Sequence, residues 1–579
     1  MDREEQAVSS PNSAPRGFSR SLMTAIAKYA AIPYYRTKLN RFENRLRHAH
    51  RIQRESLFRR LRASADSDFG RKHGFHRIHS IDDFRQRVPV CDYEYLAPYI
   101  SEVSRGRTQA LFSLNERILA FACTTGTTGQ PKLNPVTQTW LREYLRSLEI
   151  WGVKAIFEHW DMIGTKIVQL LGPSNLGRTP SGLTIGMVSS IAARHQNPIY
   201  RSFCAIPYGV ADLEDSGAKY YLTMRLAMAT DVGMIVGITP ANLIRLATVG
   251  HEYRQELIRD IHDGTVACER EIPPHLRRRI LPTLRRGNPA RARELEAIIS
   301  RTGTLYPKDY WPLGLTCCWL GGTIGYQARD LSRYYGTTPT RDLGLISTEG
   351  RHTIPLQDNC TEGVLSVDGA YYEFIPVEEM ESAHPRVLEC HELQTDRDYS
   401  LVMTTSSGLF RYEIGDIVRC VGMHGQAPLL QFLHKTGHCA DMEGEKISGF
   451  QMAQAVEVAS AELSLQMDYF MAVPVRNDGH TPYYAVLVER RVIEDPAVGR
   501  RFVKIIDREL IRSNVMYAGK RNDGYIGPPR LMRLAEGTWT AHIASQTGKH
   551  KVGDSQYKQP ALVPDTSYIH RFDPLDTLV

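Results

Sequence analysis

Between residues 118 and 440, short apolar runs rich in β-branched residues alternate with longer helix-forming stretches. The runs are Ile118–Cys123, Ile167–Leu171, Val232–Ile238, Leu343–Ile346, Leu401–Thr405 and Ile417–Val421; the stretches between them include 137–150, 240–262 and 291–301. Apolar runs of this length, too short to be helices, read as buried strands, and their alternation with helices implies an α/β architecture. In 365–376 an Asp-Gly pair, Asp368-Gly369, lies between strand-like flanks, which predicts a hairpin and hence mixed sheets. Gly, Ser and charged residues then cluster at 435–449, and beyond them the pattern predicts a helix at 450–463, a strand pair at 469–489 turning at Asn477-Asp-Gly, and a helix at 496–513. The division implied is a disordered tail over 1–19, a large N-terminal domain over 20–435, a hinge at 436–449 and a compact C-terminal α+β domain over 450–579.

The net charge is +7, unevenly placed: residues 1–62 carry 14 Lys and Arg against 5 Asp and Glu, leaving the rest of the chain slightly acidic. From Ser21 to Ala65 helix formers dominate, with Leu46, Leu57 and Leu61 among the apolar positions. Two basic amphipathic helices are expected, with a further short helix near 81–87. Their arginine stems lie along the core with heads in solvent, and no nucleic-acid motif accompanies the charge. No apolar run approaches the length that spans a bilayer. Lys28 and Pro33 interrupt 22–35, the one stretch resembling a signal sequence. The ten cysteines form no Cys-x-x-Cys pair and no regular framework, so they read as small buried hydrophobes in a reducing compartment. A cytoplasmic, monomeric protein without nucleic-acid or membrane partners is the expectation.

Three segments carry chemistry. Phe121 to Lys132 (Phe-Ala-Cys-Thr-Thr-Gly-Thr-Thr-Gly-Gln-Pro-Lys) runs from a strand into a loop of threonines and glycines closed by a lysine. Such a loop presents N–H groups, hydroxyls and an ammonium to phosphate oxygens. It is not a Walker A loop: Gly126 and Gly129 have the wrong spacing, Leu133 follows Lys132, and Pro135 blocks a helix there. Leu345-Ile-Ser-Thr-Glu-Gly350 ends an apolar run in two hydroxyls and a carboxylate, suited to a phosphate contact and to Mg²⁺ at Glu349. In Leu409-Phe-Arg-Tyr-Glu-Ile-Gly-Asp416, a carboxylate at a tight turn can accept both hydroxyls of a ribose. Taken singly, the last two fit a helix cap and an inter-strand turn equally well.

The order of the three segments, ahead of a hinge and a small C-terminal domain, resembles the adenylate-forming enzymes. Within that superfamily the chain is similar to the Gretchen Hagen type acyl acid amido synthetases from about residue 50 to 563. Asp68-Phe-Gly-Arg, Val88-Pro with Tyr93 and Tyr99-Ile, Trp319-Leu-Gly-Gly, Tyr372-Glu-Phe-Ile-Pro, Gly444-Glu-Lys, Asp507-Arg-Glu-Leu and Gln556-Tyr-Lys-x-Pro560 carry the likeness.

The resemblance implies a large mixed α/β domain with helix-flanked sheets and a small mobile α+β domain. It also implies ATP and Mg²⁺ as cofactors: a carboxylic acid is activated as an acyl-adenylate, and the acyl group then passes to an amine, usually an amino acid. An acyl-CoA synthetase, or a silent small-molecule binder, is the alternative. By motif match, Thr124, Thr125, Gly126, Thr127, Thr128, Gly129 and Lys132 hold the β- and γ-phosphates, and Gly321 and Gly322 let backbone approach the adenine. Thr348 bonds the α-phosphate, Glu349 holds Mg²⁺, Asp416 grips the ribose and Tyr412 lines the nucleotide site. Lys558 is the C-terminal lysine expected at the α-phosphate, with Lys549, Lys551 and Lys446 as competitors. Arg351 and His352 fall where an acyl pocket would be: they bind an anionic acyl group, or His352 is a hydrogen-bonded core histidine. Ile238 to Leu243 is a further candidate wall of that pocket.

Overall fold

The structure, a computed structural model, describes residues 18–113, 116–123, 132–321, 328–380, 382–436, 439–476, 481–550 and 559–579. The basic region forms helices α1 (Phe18–Leu46) and α2 (Ala49–Ala63). In α2, Ala49, Ile52, Gln53, Ser56, Leu57, Arg60 and Leu61 are buried, the spacing of a single helix face. Three cations of these two helices pair within the chain: Arg45 of α1 with Asp368, and Arg54 and Arg60 of α2 with Glu389 and Glu143. Among the described residues no helix is long and apolar enough to cross a membrane.

The strands are, in chain order, β1 (Ile118–Cys123), β2 (Leu133–Thr137), β3 (Lys166–Gln169), β4 (Gly177–Arg178), β5 (Thr184–Gly186), β6 (Val232–Val236), β7 (Leu315–Cys317), β8 (Thr340–Arg341), β9 (Thr353–Ile354), β10 (Glu362–Leu365), β11 (Tyr371–Pro376), β12 (Leu388–Glu389), β13 (Arg397–Thr404), β14 (Tyr412–His424), β15 (Ala427–Lys435), β16 (Cys439–Ala440), β17 (Ile447–Ser448), β18 (Met471–Val475), β19 (Tyr483–Glu489), β20 (Arg530–Leu534) and β21 (Asp576–Leu578). The sheet β3-β6-β7-β8 is parallel throughout, so each connection must cross over, and helices including Ser216–Met228, Pro240–Glu252 and Pro289–Thr302 do so. A seven-stranded antiparallel sheet, β12-β11-β13-β14-β15-β10-β9, and the smaller sheet β2-β1-β5-β4 complete the large domain. The α/β class expected from the sequence is the class observed.

Four details depart from the sequence reading. Leu343–Ile346 is not a strand, because after β8 Gly344 takes φ +82° and donates its N–H to the Asp342 carboxylate, turning the chain away. The stretch 240–262 is two helices, Pro240–Glu252 and Arg254–Asp263, broken at Tyr253. Asp368-Gly369 does form a turn, but not a hairpin: β10 pairs with β9 and β15, and β11 with β12 and β13. The turn's carbonyls are taken instead by α2, since Gln53 Nε2 donates to Val367 O and Ala370 O at 2.6 and 2.7 Å.

The fourth departure is the hinge. Within 436–449, β16 and β17 pair as a small hairpin, and Ala440 and Ile447 are buried in the C-terminal core. The Glu445 carboxylate, wholly buried, accepts the N–H of Met442 and Glu443 and the Tyr484 hydroxyl. The C-terminal sheet, β18-β19-β20-β21, then packs on helices Gly449–Glu462 and Pro496–Ser513. The expected turn at Asn477 lies outside the described residues, but β18 and β19 pair antiparallel on either side of it.

Candidate active site

The segment leading to Lys132 is framed by an antiparallel pair in which Cys123 faces Leu133. Tyr93 buttresses its exit: the hydroxyl accepts from Leu133 N at 2.9 Å and donates to Leu133 O at 3.1 Å, while the Lys132 ammonium lies 5.2 Å from the centre of its ring. Thr124, Thr125, Gly126, Thr127, Thr128 and Gly129 lie outside the described residues.

Opposite Lys132 stands the Ser347-Thr348-Glu349 loop, held through its backbone. Asn134 Nδ2 donates to Thr348 O at 2.8 Å, and Trp140 Nε1 donates to Glu349 O at 2.7 Å. Inside the loop the Ser347 hydroxyl accepts Glu349 N at 3.1 Å and bonds His352 Nε2 at 2.8 Å. The Thr348 hydroxyl donates to Glu349 Oε2 at 2.9 Å. Lys132, Thr348 and Glu349 thereby line one narrow cleft with Tyr93, Leu133, Asn134 and Leu409. It brings a cation together with a hydroxyl and a carboxylate that lie more than 200 positions further along the chain.

Asp416 and Tyr412 adjoin this pocket. Asp416 does not sit at a tight turn but within the 13-residue strand β14, where a register shift between Ser400 and Val402 of β13 marks a bulge and Gly415 takes φ +78°. A bulge kinks one strand and re-aims its side chains, which is what the turn was expected to do. Asp416 is 2% exposed, and Lys435 Nζ, opposite it at the end of β15, bonds Oδ1 at 2.5 Å. Burial pulls the Lys435 ammonium down, but Asp416 and Glu349 outweigh it and its pKa is raised. Tyr412 is buried, and its phenol pKa is raised first by burial and then by the charges of Glu349 and Asp416, so the two carboxylates share one electrostatic neighbourhood.

Arg351 and His352 are both core residues. His352 is wholly buried with Nε2 on Ser347 and Nδ1 3.2 Å from the Tyr372 hydroxyl, and burial lowers its pKa to about 4. Of the two readings open for it, this is the core histidine: it shapes the Ser-Thr-Glu loop from behind and has no nitrogen left for an acyl group. Arg351, 2% exposed, donates to Leu343 O and lies 5.2 Å from the Trp151 ring centre; burial lowers its pKa to about 10.

Gly321 is buried, and a Cβ there would lie 2.5 Å from Trp319 Nε1, so only glycine lets this loop fold back over the indole. Gly322 lies outside the described residues, as do Lys551 and Lys558; the side chain of Lys549 does too. The chain resumes at Gln559, whose amide donates to Phe470 O at 2.9 Å beside β18. Lys446 has φ +47° in the β16–β17 hairpin.

Three family models match in succession: the GH3 family N-terminal domain over residues 38–340, the central domain over 363–435 and the C-terminal domain over 450–567. The chain belongs to the GH3 family. It is 23% identical to a jasmonoyl–L-amino acid synthetase, JAR4, of Nicotiana attenuata, over 91% of this chain and 94% of that protein. It is 25% identical to a probable indole-3-acetic acid-amido synthetase, GH3.1, of Oryza sativa subsp. japonica, over 89% of this chain and 87% of that one. Its fold is that of the GH3.15 acyl acid amido synthetase, with a TM-score of 0.81 at 18% identity over 93% of this chain and 96% of that chain.

The residues that hold this GH3 site in shape are less visible in sequence than those lining it. Asn134, Trp140, Lys435 and Asp342 have no motif signature. Asp342 is 1% exposed and accepts Leu320 N at 2.5 Å as well as Gly344 N. It ties the Trp319–Gly321 loop to the start of the Ser-Thr-Glu segment, and burial pushes its carboxyl up to about 7 against those N–H donors. Tyr93 carried a signal, as part of the family resemblance, but no expected role.

Proposed function

We propose that this protein is an ATP-dependent acyl acid amido synthetase, activating a small carboxylic acid as its acyl-adenylate and transferring the acyl group to an amino acid. The observation that carries the reading is the meeting of Lys132, Thr348 and Glu349 in one pocket of a GH3-family chain, with Asp416 and Tyr412 beside it.

The acid's carboxylate attacks the α-phosphorus, and the bond to pyrophosphate breaks. Charge builds on the phosphate oxygens, and catalysis consists of meeting that charge with fixed donors and cations. Lys132 would meet the β- and γ-phosphates, and Thr124 to Gly129 carry the hydroxyls and N–H groups suited to the same oxygens. Thr348, whose hydroxyl now rests on Glu349, turns to the α-phosphate. Asp416, oriented by Lys435, accepts from the ribose hydroxyls. Glu349 suits Mg²⁺: this ion keeps most of its waters and takes one or two carboxylates plus substrate phosphates, and Glu349 is the carboxylate lining this pocket. When bound, Mg²⁺ neutralises phosphate charge. In the second step the amine nitrogen attacks the acyl carbon, AMP leaves with the electrons of the broken C–O bond, and the amine proton passes to solvent. Lys558 is the C-terminal lysine proposed to reach the α-phosphate during the first step.

Relatives named for jasmonate and indole-3-acetate suggest the acid's size class, and amino acids as acceptors. A cytoplasmic monomer is the proposed working form; the nine cysteines whose side chains are described are all free thiols, as a reducing compartment would keep them. The test is ATP–pyrophosphate exchange across a panel of aromatic, fatty, hydroxy and amino acids with Mg²⁺, followed by AMP release with amino acids or CoA added. Acid-dependent exchange with amine-dependent AMP release is expected. CoA-dependent release without amine turnover replaces the amine by a thiol, and ATP binding without exchange for any acid leaves a silent binder.

A further inference from the structure

At the β12 edge of the seven-stranded sheet, α2 meets the turn that follows β12. There His50, Glu389 and His391 place one ligand atom each within 4.8 Å of one another. His50 Nε2 lies 3.7 Å from Glu389 Oε2, and the two imidazole rings are 4.0 Å apart, centre to centre. His50 Nε2 and His391 Nδ1 are both shielded from solvent and neither has a hydrogen-bond partner. Buried polar atoms are paired in nearly every native structure, so two orphaned imidazole nitrogens beside one carboxylate oxygen require an explanation.

We infer that His50, Glu389 and His391 bind a divalent transition metal of the zinc type, with water as the fourth ligand. Two imidazoles and a carboxylate suit this ion, and metal–ligand bonds of about 2.0–2.2 Å set tetrahedral donors roughly 3.3 Å apart. The His50–Glu389 spacing is close to that value, and closing the remainder takes rotation of two half-buried imidazoles. The surrounding charge favours a cation. Glu389 and Glu392 stand together, Glu392 Oε2 accepting Glu389 N at 2.7 Å, against Arg54, which donates to both Glu389 oxygens. Arg54 orients the Glu389 carboxylate, whose oxygens keep further lone pairs for the metal. The metal would pin α2 to the edge of the sheet formed by β11 and β12, and its role is structural. The inference does not depend on the proposed activity.

The experiment uses the full chain, stripped with a chelator and titrated with Zn²⁺ against a chromophoric competitor, and in parallel with Co²⁺. One Zn²⁺ per chain, visible bands of tetrahedral Co²⁺ and a Zn²⁺-dependent rise in the thermal midpoint are expected. His50→Gln and His391→Gln should each weaken binding at least about 10-fold, while the metal-free midpoint, read by circular dichroism, stays at the wild-type value. Absence of stoichiometric Zn²⁺ in the folded wild type overturns the inference. So does undiminished binding in the His50→Gln, His391→Gln double variant, which would assign the metal to other ligands such as the cysteines.

Discussion

In the proposed reaction Lys132 and Glu349 meet phosphate and Mg²⁺ charge and Asp416 accepts from the neutral ribose hydroxyls, so loss of any of the three should act on catalysis and not on folding. Lys132→Ala, Glu349→Gln and Asp416→Asn are each expected to lower pyrophosphate exchange by about 10²-fold or more with unchanged circular dichroism. Near-wild-type exchange in all three would remove the nucleotide from this pocket. His352 carries a different prediction. Burial lowers its pKa to about 4, so the folded chain refuses a proton that the unfolded chain accepts below about 6.5. Its contribution to stability is complete above pH 6.5 and is lost as the pH falls toward 4, on the order of 3 kcal/mol in all. Thermal midpoints at pH 7 and pH 5 should therefore fall less in His352→Gln than in wild type. Equal falls would mean that His352 is already protonated in the fold.

Among the elements, β14 shows how a local irregularity sets a site. The Gly415 bulge aims Asp416 inward, and Gly415 O accepts Thr436 N at 2.6 Å, tying the bulge to the residue that follows β15. A Cβ at Gly415 would lie 2.6 Å from Thr436 Oγ1 at a φ that side chains avoid. Gly415→Ala is expected to raise the KM for ATP severalfold or more in the exchange assay while the protein stays folded. An unchanged KM would show that the bulge does not position Asp416 for the nucleotide. At this scale the sequence reading found the longer buried strands, among them β1, β3, β6, β13 and β14, and the long helices, because burial writes itself as apolar period, while short strands such as β4, β8 and β12 carry too few residues to show one. It could not find the partner of each strand. Asp368-Gly369 was a correct turn in a hairpin that does not exist, since a turn dipeptide specifies a local reversal and β11 is drawn to β13 by the whole sheet's register.

Across the molecule, the basic N-terminal helices are structural. Leu57 and Leu61 are buried, Gln53 accepts Tyr372 N at 2.8 Å while donating to two carbonyls, and Arg60 reaches Gly369 O at 3.1 Å. Deleting residues 18–63 should uncover this face and abolish soluble, cooperatively folding protein. By contrast Arg51→Ala, in an exposed ion pair with Glu55, should change stability by less than about 1 kcal/mol. A soluble, cooperatively melting deletion would show that these helices are not needed for the fold. By itself the sequence determined the α/β class, because buried periodicity writes itself into local spacing, while the resemblance of its motifs pointed to the family and singled out Lys132, Thr348, Glu349, Asp416 and Tyr412 as candidate site residues. Only the tertiary structure decided that His352 is a core residue, that a bulge and not a turn presents Asp416, and that Asn134, Trp140, Lys435 and Asp342 hold the site. Their roles come from contacts across 19 to 214 positions of chain, where any polar side chain of suitable reach would look the same in sequence.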